Sequence, residues 1–467
     1  MRDLVPQPLT RPAGPARAHG GSGPDAPLLV IGAGPKAIAL AVKAKVLREA
    51  GLDAPEVVAV ERDRTAAHWR EGHGWTNGRQ SLGTLPEKDL GFPYDATAWG
   101  DPHDPLVAEI IRLTTGYGWA GHLMSRGGYA RWVDRGRPQP SHREWADYLD
   151  WAAREAGLRV VTGEVRGAET DDDGWTLGYA APGGHGTVRG RGLLVSGPGP
   201  SGTALTADDD RVLDTAGFWR LAVAGLPRRI RHVVVVGSGE TAGTVVRELA
   251  VAQEREVTVV TPRAALYSRG ESPFENRYYS DPTGWTALTE SDRREFIRRT
   301  DRAVFSLDVQ HDLARTARVN WRPGRATGTR AGTPVALTYE YGGRPGEIEA
   351  DLVVDATGGD PMWFTGLLGP RARAALTAAV GGTLTRAAVE HTIDRSLAVP
   401  GLPAPLHLPN LAALAQGPGF PNLSSLGLLA DRVLRAHVPP RSPADLAVSC
   451  AGTGRTSMPA PYYRGEA

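Results

Sequence analysis

LLVIGAGPKAIA (28–39) and HVVVVGSGETAG (232–243) decide the fold of this 467-residue chain. In the first, the apolar run Leu28 to Ile31 meets Gly32, Gly34 and Ala37; in the second, Val233 to Val236 meet Gly237, Gly239 and Ala242. The first glycine permits a tight strand-to-helix turn and the second lets backbone approach a pyrophosphate. The small third residue lets helix pack on strand. A bound pyrophosphate then sits at the positive end of the following helix. Two such loops, one of them comprising Gly32, Gly34, Pro35 and Ala37, predict an α/β chain with two Rossmann-like dinucleotide-binding domains. Such a chain passes electrons from one dinucleotide to another.

A lone glycine motif is weak evidence, but each copy here has an apolar strand before it and a helix-forming run after it. The first helix run leads to the strand EVVAVE (56–61), whose last residue, Glu61, is placed to accept hydrogen bonds from a ribose. At the equivalent place the second copy reads EVTVVTPR (256–263), with Thr261 in place of a carboxylate and Arg263 two residues on. A carboxylate repels a 2′-phosphate whereas arginine grips it, so the second site is read as one for NADPH. Arg263 is the residue expected to hold that phosphate, with Arg269 as the alternative.

Composition narrows the classes. The formal net charge of +1 and the absence of a basic run argue against nucleic acid as partner. One cysteine, Cys450, excludes both a disulfide framework and a dithiol redox pair. No apolar run approaches the roughly twenty residues of a membrane span. Residues 1–27 are rich in Pro, Gly, Ala and Arg without the apolar stretch of a signal peptide, and read as the disordered tail of a cytoplasmic protein. Residues 439–467 read as a second loose tail.

Between the tails the expected order is a first dinucleotide domain over 28–212 and a second over 213–346. A small, largely helical substrate region and return linker follows over 347–415, and 416–438 closes the first domain. The strand and turn ending Asp355-Ala356-Thr357-Gly358 mark the return point, with Thr357 and Gly358 expected near cofactor.

The stretch HWREGHGWTNGRQSLGTLPEKDLGFPYD (68–95) is dense in Gly, Trp, Pro and charge, which suits an irregular loop over a ligand. Lysine occurs only at 36, 43, 45 and 88, and Lys88 stands alone in this loop. Its compact ammonium suits a small carboxylate in a confined pocket; an exposed lysine paired with Glu87 or Asp89 is the plainer reading. His68, His73 and His122 are scattered and read as structural or surface residues.

These stretches, with SHREWADYLDW (141–151), SRGESPFENRYYSDPTGW (268–285), RTDRAVFS (299–306), DPMWF (360–364) and QGPGFPNLSSLGLLADRVL (416–434), carry a resemblance. From Leu28 to about Leu434 the chain resembles the flavin-dependent N-hydroxylating monooxygenases, most closely the L-lysine N6-monooxygenases of mycobactin- and nocobactin-type siderophore pathways. The resemblance implies FAD and NADPH as cofactors, L-lysine and O2 as substrates, and N6-hydroxylation through a flavin C4a-hydroperoxide. It also implies a small-molecule partner and allows a homo-oligomer.

Carried over by position, Lys88 pairs with the substrate α-carboxylate, Asn276 contacts the substrate, and Trp69 flanks the flavin. Ser424 and Ser425 are expected to bind flavin or a substrate carboxylate, or to cap the helix they begin. Where ornithine hydroxylases carry T-N-Y-S, this chain has Thr300-Asp301-Arg302-Ala303, so Asp301 either holds the substrate α-ammonium or bridges a nearby arginine. L-ornithine or a diamine is the alternative substrate within the class. A non-hydroxylating FAD/NADPH redox regulator is the alternative outside it.

Overall fold

A computed structural model describes residues 26–73, 75–200, 205, 209–301 and 303–439. Apart from Ala26, Pro27 and Pro439, the two expected tails, and Cys450 with them, lie outside the described residues. Strand β1 (Leu28–Ile31) feeds helix α1 (Pro35–Glu49), which returns the chain to β2 (Val57–Glu61). A long loop, then helices α2 (Pro105–Thr115), α3 (Trp119–Ser125), α4 (Tyr129–Asp134) and α5 (His142–Ala156), precede β3 (Arg159–Thr162). An antiparallel flap of β4 (Glu164–Asp171), β5 (Gly174–Ala181) and β6 (Gly184–Gly190) leads into β7 (Gly192–Val195).

The second unit begins with β8 (Val212–Asp214) and α6 (Thr215–Ala224), then β9 (His232–Val236), α7 (Glu240–Arg247) and β10 (Glu256–Thr261). Helices α8 (Pro273–Ser280), α9 (Glu290–Thr300) and α10 (Leu307–Leu313) intervene before β11 (Val319–Pro323). Another antiparallel flap, β12 (Arg325–Arg330), β13 (Val335–Tyr341) and β14 (Arg344–Ala350), leads into β15 (Leu352–Asp355). The chain then recrosses through α11 (Pro370–Ala379), α12 (Arg386–Thr392), β16 (Leu406–His407), α13 (Ala413–Gln416) and α14 (Leu426–Arg435).

Two five-stranded parallel sheets result, in the orders β16-β7-β1-β2-β3 and β11-β10-β9-β15-β8. In each, the strand before the glycine turn is central, with its sequence successor on one side and a later strand on the other. That reversal opens a crevice at the carboxyl ends of the strands, where ligands of such sheets bind. The apolar runs are long because both faces are covered, and β1 and β9 are buried accordingly.

The expected boundaries shift. The one at 212/213 cuts β8 and the one at 346/347 cuts β14, yet β8 and β15 both hydrogen-bond within the second sheet. Nor is 347–415 a separate helical region: Phe364, Leu376, Val389 and Leu411 are buried in the same core as β1 and α1, and β16 pairs with β7. Helices α8 and α9 instead sit inside the span expected for the second domain. Apolar patterning locates elements but not the neighbours they pack on, which is why these limits moved.

Helices α1 and α14 are pinned by a buried ion pair, Lys43 Nζ to Asp431 Oδ1 at 2.9 Å, with the Trp99 indole donating to the same oxygen at 2.6 Å. Both charged side chains are almost fully buried (3% and 0% exposed), so each depends on the other. Lys43→Met should cost about 3–5 kcal/mol in denaturant unfolding by stranding the carboxylate. Lys43→Met/Asp431→Leu should recover most of it, and equal losses in both variants would contradict the pairing.

Candidate functional site

Both glycine turns take the conformation their sequence demands. Gly32 has φ +93°, and a Cβ there would stand 2.8 Å from Ser196 Oγ at the end of β7. Gly237 has φ +132°, and its Cβ would stand 2.5 Å from the Ala356 carbonyl at the end of β15. In each sheet the turn therefore closes against the neighbouring strand's own turn, and only glycine fits. Gly34 and Gly239 face open space, leaving backbone free for a ligand. Ala37 and Ala242 are fully buried and serve helix-to-strand packing.

Three cavities run in series. The first, of about 830 Å³, contains Gly32, Gly34 and Glu61 in its wall. Glu61 Oε2 accepts the Ala33 amide at 2.9 Å, which holds the carboxylate beside the turn. Through Gly34 and His68 this cavity meets a second, of about 350 Å³, walled by Pro35, Trp69, His142 and Ser424 among others. Trp69 meets the edge of the His142 ring at 4.8 Å, and His68 stacks on Trp75 at 4.8 Å. Through Gly83, Thr84 and Arg269 the second cavity meets a third, of about 140 Å³, lined by Lys88, Asn276, Asp301 and Glu271.

In the third cavity Lys88 Nζ donates to Asn276 Oδ1 at 2.6 Å, joining residues 188 apart in sequence. Asn276 lies within α8, whose start is capped by Ser272 and Glu275, so it is not the cap that Asn so often supplies. The ammonium also sits 5.9 Å from the Phe92 and Tyr279 ring centres. Burial, with Arg269 adding, lowers the Lys88 pKa, against an opposing pull from Glu271. Neither Glu87 nor Asp89 takes it. Asp89 is buried and accepts from the Trp119 amide, the Gly91 amide and the Tyr94 hydroxyl, which fixes the turn following Lys88.

Other expected residues fall in varied places. Asp301, just past α9, accepts from Asn422 Nδ2 at 3.0 Å. Arg263 follows β10 and donates to the Arg298 carbonyl, while Thr261 is fully buried against Ser238. Arg269 does not stay with Arg263: its Nη1 donates to the Gly83 carbonyl between the second and third cavities. Thr357 donates its hydroxyl to Asp355 within its own turn, and Gly358 adopts φ +96°. Ser424 lines the second and third cavities. Ser425 is buried and does not cap the helix it begins; its hydroxyl donates instead to the Tyr279 carbonyl.

Sequence reading passed over His142, Asn422 and Glu248. His142 opens α5 and touches Thr76 Oγ1 at 2.9 Å. Glu248, in a π-helical turn after α7, is buried and accepts from Asn77 Nδ2 and Gln80 Nε2, both at 2.9 Å. The only sequence signal for Glu248 was an acidic residue on an otherwise apolar helical face. Among the described residues, no group of His, Cys, Asp and Glu has the makings of a metal site. No described helix is long and apolar enough to cross a membrane.

Desolvation holds several imidazoles neutral. His68 and His407 are lowered to about 4 and His142 to about 3, burial being the first cause in each. Between pH 6.5 and about 4 the unfolded chain gains protons there that the folded chain refuses, so stability falls as pH falls. Each imidazole adds up to about 1.4 kcal/mol per pH unit to that slope. Thermal unfolding at about pH 7.5, 6 and 5 should show a stepwise drop, whereas a flat profile contradicts the neutral buried state.

The family described as L-lysine 6-monooxygenase/L-ornithine 5-monooxygenase matches residues 112–313. The L-lysine N6-monooxygenase MbtG of Mycobacterium tuberculosis (strain H37Rv) is 42% identical over 416 residues, 88% of this chain and 95% of that protein. MbtG of Mycobacterium sp. (strain MCS) is 42% identical over 439 residues, 93% of this chain and 98% of that protein. Among solved structures, lysine monooxygenase NbtG from Nocardia farcinica shares 47% identity at a TM-score of 0.77, covering 88% of this chain and 100% of that one. The Kutzneria ornithine N-hydroxylase KtzI, at 20% identity and a TM-score of 0.71, covers 88% of this chain and 99% of its own and shares the fold.

Proposed function

The chain belongs to the L-lysine 6-monooxygenase/L-ornithine 5-monooxygenase family, and from that premise we propose that it hydroxylates L-lysine at N6 to supply a hydroxamate siderophore. FAD and NADPH are the cofactors and O2 the oxidant. One oxygen atom forms the N–O bond, replacing an N–H, and the other leaves as water, with NADPH and a proton supplying the reducing equivalents. The reading is carried by the Lys88–Asn276 hydrogen bond in a cavity continuous with the one walled by Trp69.

The residues present fit both dinucleotides, which we assign to two Rossmann-like domains. For FAD, open backbone at Gly34 and the Glu61 carboxylate beside the first turn suit a pyrophosphate and a ribose. The second cavity, with Trp69 and His142 in its wall, suits the flavin ring. For NADPH, Gly239 faces open space at the start of α7, and Arg263 follows β10 with no carboxylate at its end. Bound flavin, once reduced by NADPH, supplies the O2-activating chemistry.

The protein's own part is positioning and protonation. A free lysine side chain has a pKa of about 10.4, and only its neutral form is nucleophilic. The third cavity already depresses one lysine ammonium, that of Lys88, by burial. The same desolvation favours the neutral form of an incoming amine. Lys88, by contrast, has the Asn276 side-chain oxygen as an acceptor, which favours retention of its proton for a substrate carboxylate.

Purified protein supplied with FAD, NADPH and O2 should convert L-lysine to the hydroxylamine faster than L-ornithine or cadaverine. NADPH oxidation yielding only peroxide with all three amines would instead support a non-hydroxylating flavoprotein. Lys88→Met should raise KM for L-lysine about 10–100-fold, the scale of one charge-assisted hydrogen bond. Arg263→Ala should raise KM for NADPH by about tenfold and leave that for NADH unchanged, as steady-state kinetics with each coenzyme would report.

A further inference from the structure

We infer that Glu271 is the anchor for the α-ammonium group of the amino-acid substrate, forming with Lys88 a clamp for its zwitterionic end. The inference rests on the lysine-hydroxylating reading above. Three carboxylates line the third cavity: Glu271, Asp301 and Asp308. Asp301 is engaged by the Asn422 amide at 3.0 Å. Asp308 is engaged by Gln139, whose amide, oriented to satisfy its neighbours, donates to Asp308 Oδ2 and to the Leu82 carbonyl. No hydrogen bond to the Glu271 side chain is present among the described residues.

Position supports the same assignment. Glu271 sits between Gly270 and the capped start of α8, exposed on one side and facing the cavity on the other. Gly83, Thr84, Arg269, Asn422 and Ser424 form the border with the second cavity, and Glu271 is not among them. A lysine molecule entering amine-first would therefore leave its zwitterionic end near Glu271 and Lys88. The two side chains already act on each other electrostatically, and Glu271 also feels Arg269. A single cation recognises a carboxylate but not an amino acid; an adjacent anion supplies the second point of attachment. Asp301, the residue first considered for this role, is left to position Asn422.

The test compares L-lysine with 6-aminohexanoate, which keeps the carboxylate and the terminal amine but lacks the α-ammonium. Glu271→Gln should raise KM for L-lysine about 10–100-fold. The inhibition constant of 6-aminohexanoate against L-lysine should stay within about twofold, with Glu271→Asp recovering part of the loss. FAD content and the rate of flavin reduction by NADPH, measured alongside, verify that the variant is folded. An unchanged KM overturns the inference, as does an equal rise in KM and in the inhibition constant, which would signify general damage to the pocket. Failure of the unaltered protein to hydroxylate L-lysine would overturn the functional reading itself, an outcome visible before any variant is made.

Discussion

The Glu248 carboxylate, 3% exposed where the two parallel units meet, accepts amide hydrogens from Asn77 and Gln80 of the opposite unit. Those donors belong to a loop that supplies Trp69, Thr84 and Lys88 but contains almost no repeating secondary structure. Such a loop cannot satisfy its own backbone and side-chain polar groups, so partners must come from outside it. Glu248 provides them at one end, the Ser81–Ser141 bridge in the middle, and the Trp119 amide, which donates to Asp89, beyond Lys88. Without these ties the wall shared by the second and third cavities would have no fixed shape.

A second constraint is the symmetry of the two sheets. Each closes its first glycine against the turn of the strand returning beside it, Ser196 in one case and Ala356 in the other. Each also inserts an antiparallel flap just before that returning strand. The departures from this repeat carry the specific chemistry. After β10 the second unit inserts α8 to α10, and these deliver Asn276 and border Asp301 and Asp308. The first unit inserts the 68–95 loop after β2, and its Lys88 meets Asn276. The third cavity is thus assembled from matching insertions in two related folds.

Much of this was legible in the residues. Both glycine turns, the strands before them and the irregular loop follow from local rules of turn chemistry and apolar periodicity. Less legible were the domain limits, because α11, α12 and β16 look like a separate region until their apolar faces are seen buried in the first core. Ser425 illustrates the same gap. A serine at a helix start suits a ligand or a cap equally, and only the distant Tyr279 carbonyl, which takes its hydroxyl, decided against the cap.

Apart from Asn276, which entered only through the family resemblance, residue types alone established the class of cofactor loops and singled out Lys88. Each depends on residue type within a short window: glycine where φ must be positive, a compact ammonium alone in its loop. The tertiary structure decided which charges are available. Asp301, Asp308 and Glu271 are equivalent carboxylates on paper, and hydrogen bonds from distant Asn422 and Gln139 set two of them apart from the third. Partners far apart in sequence leave no local signature, so the free valence of a side chain is a property of the folded chain alone.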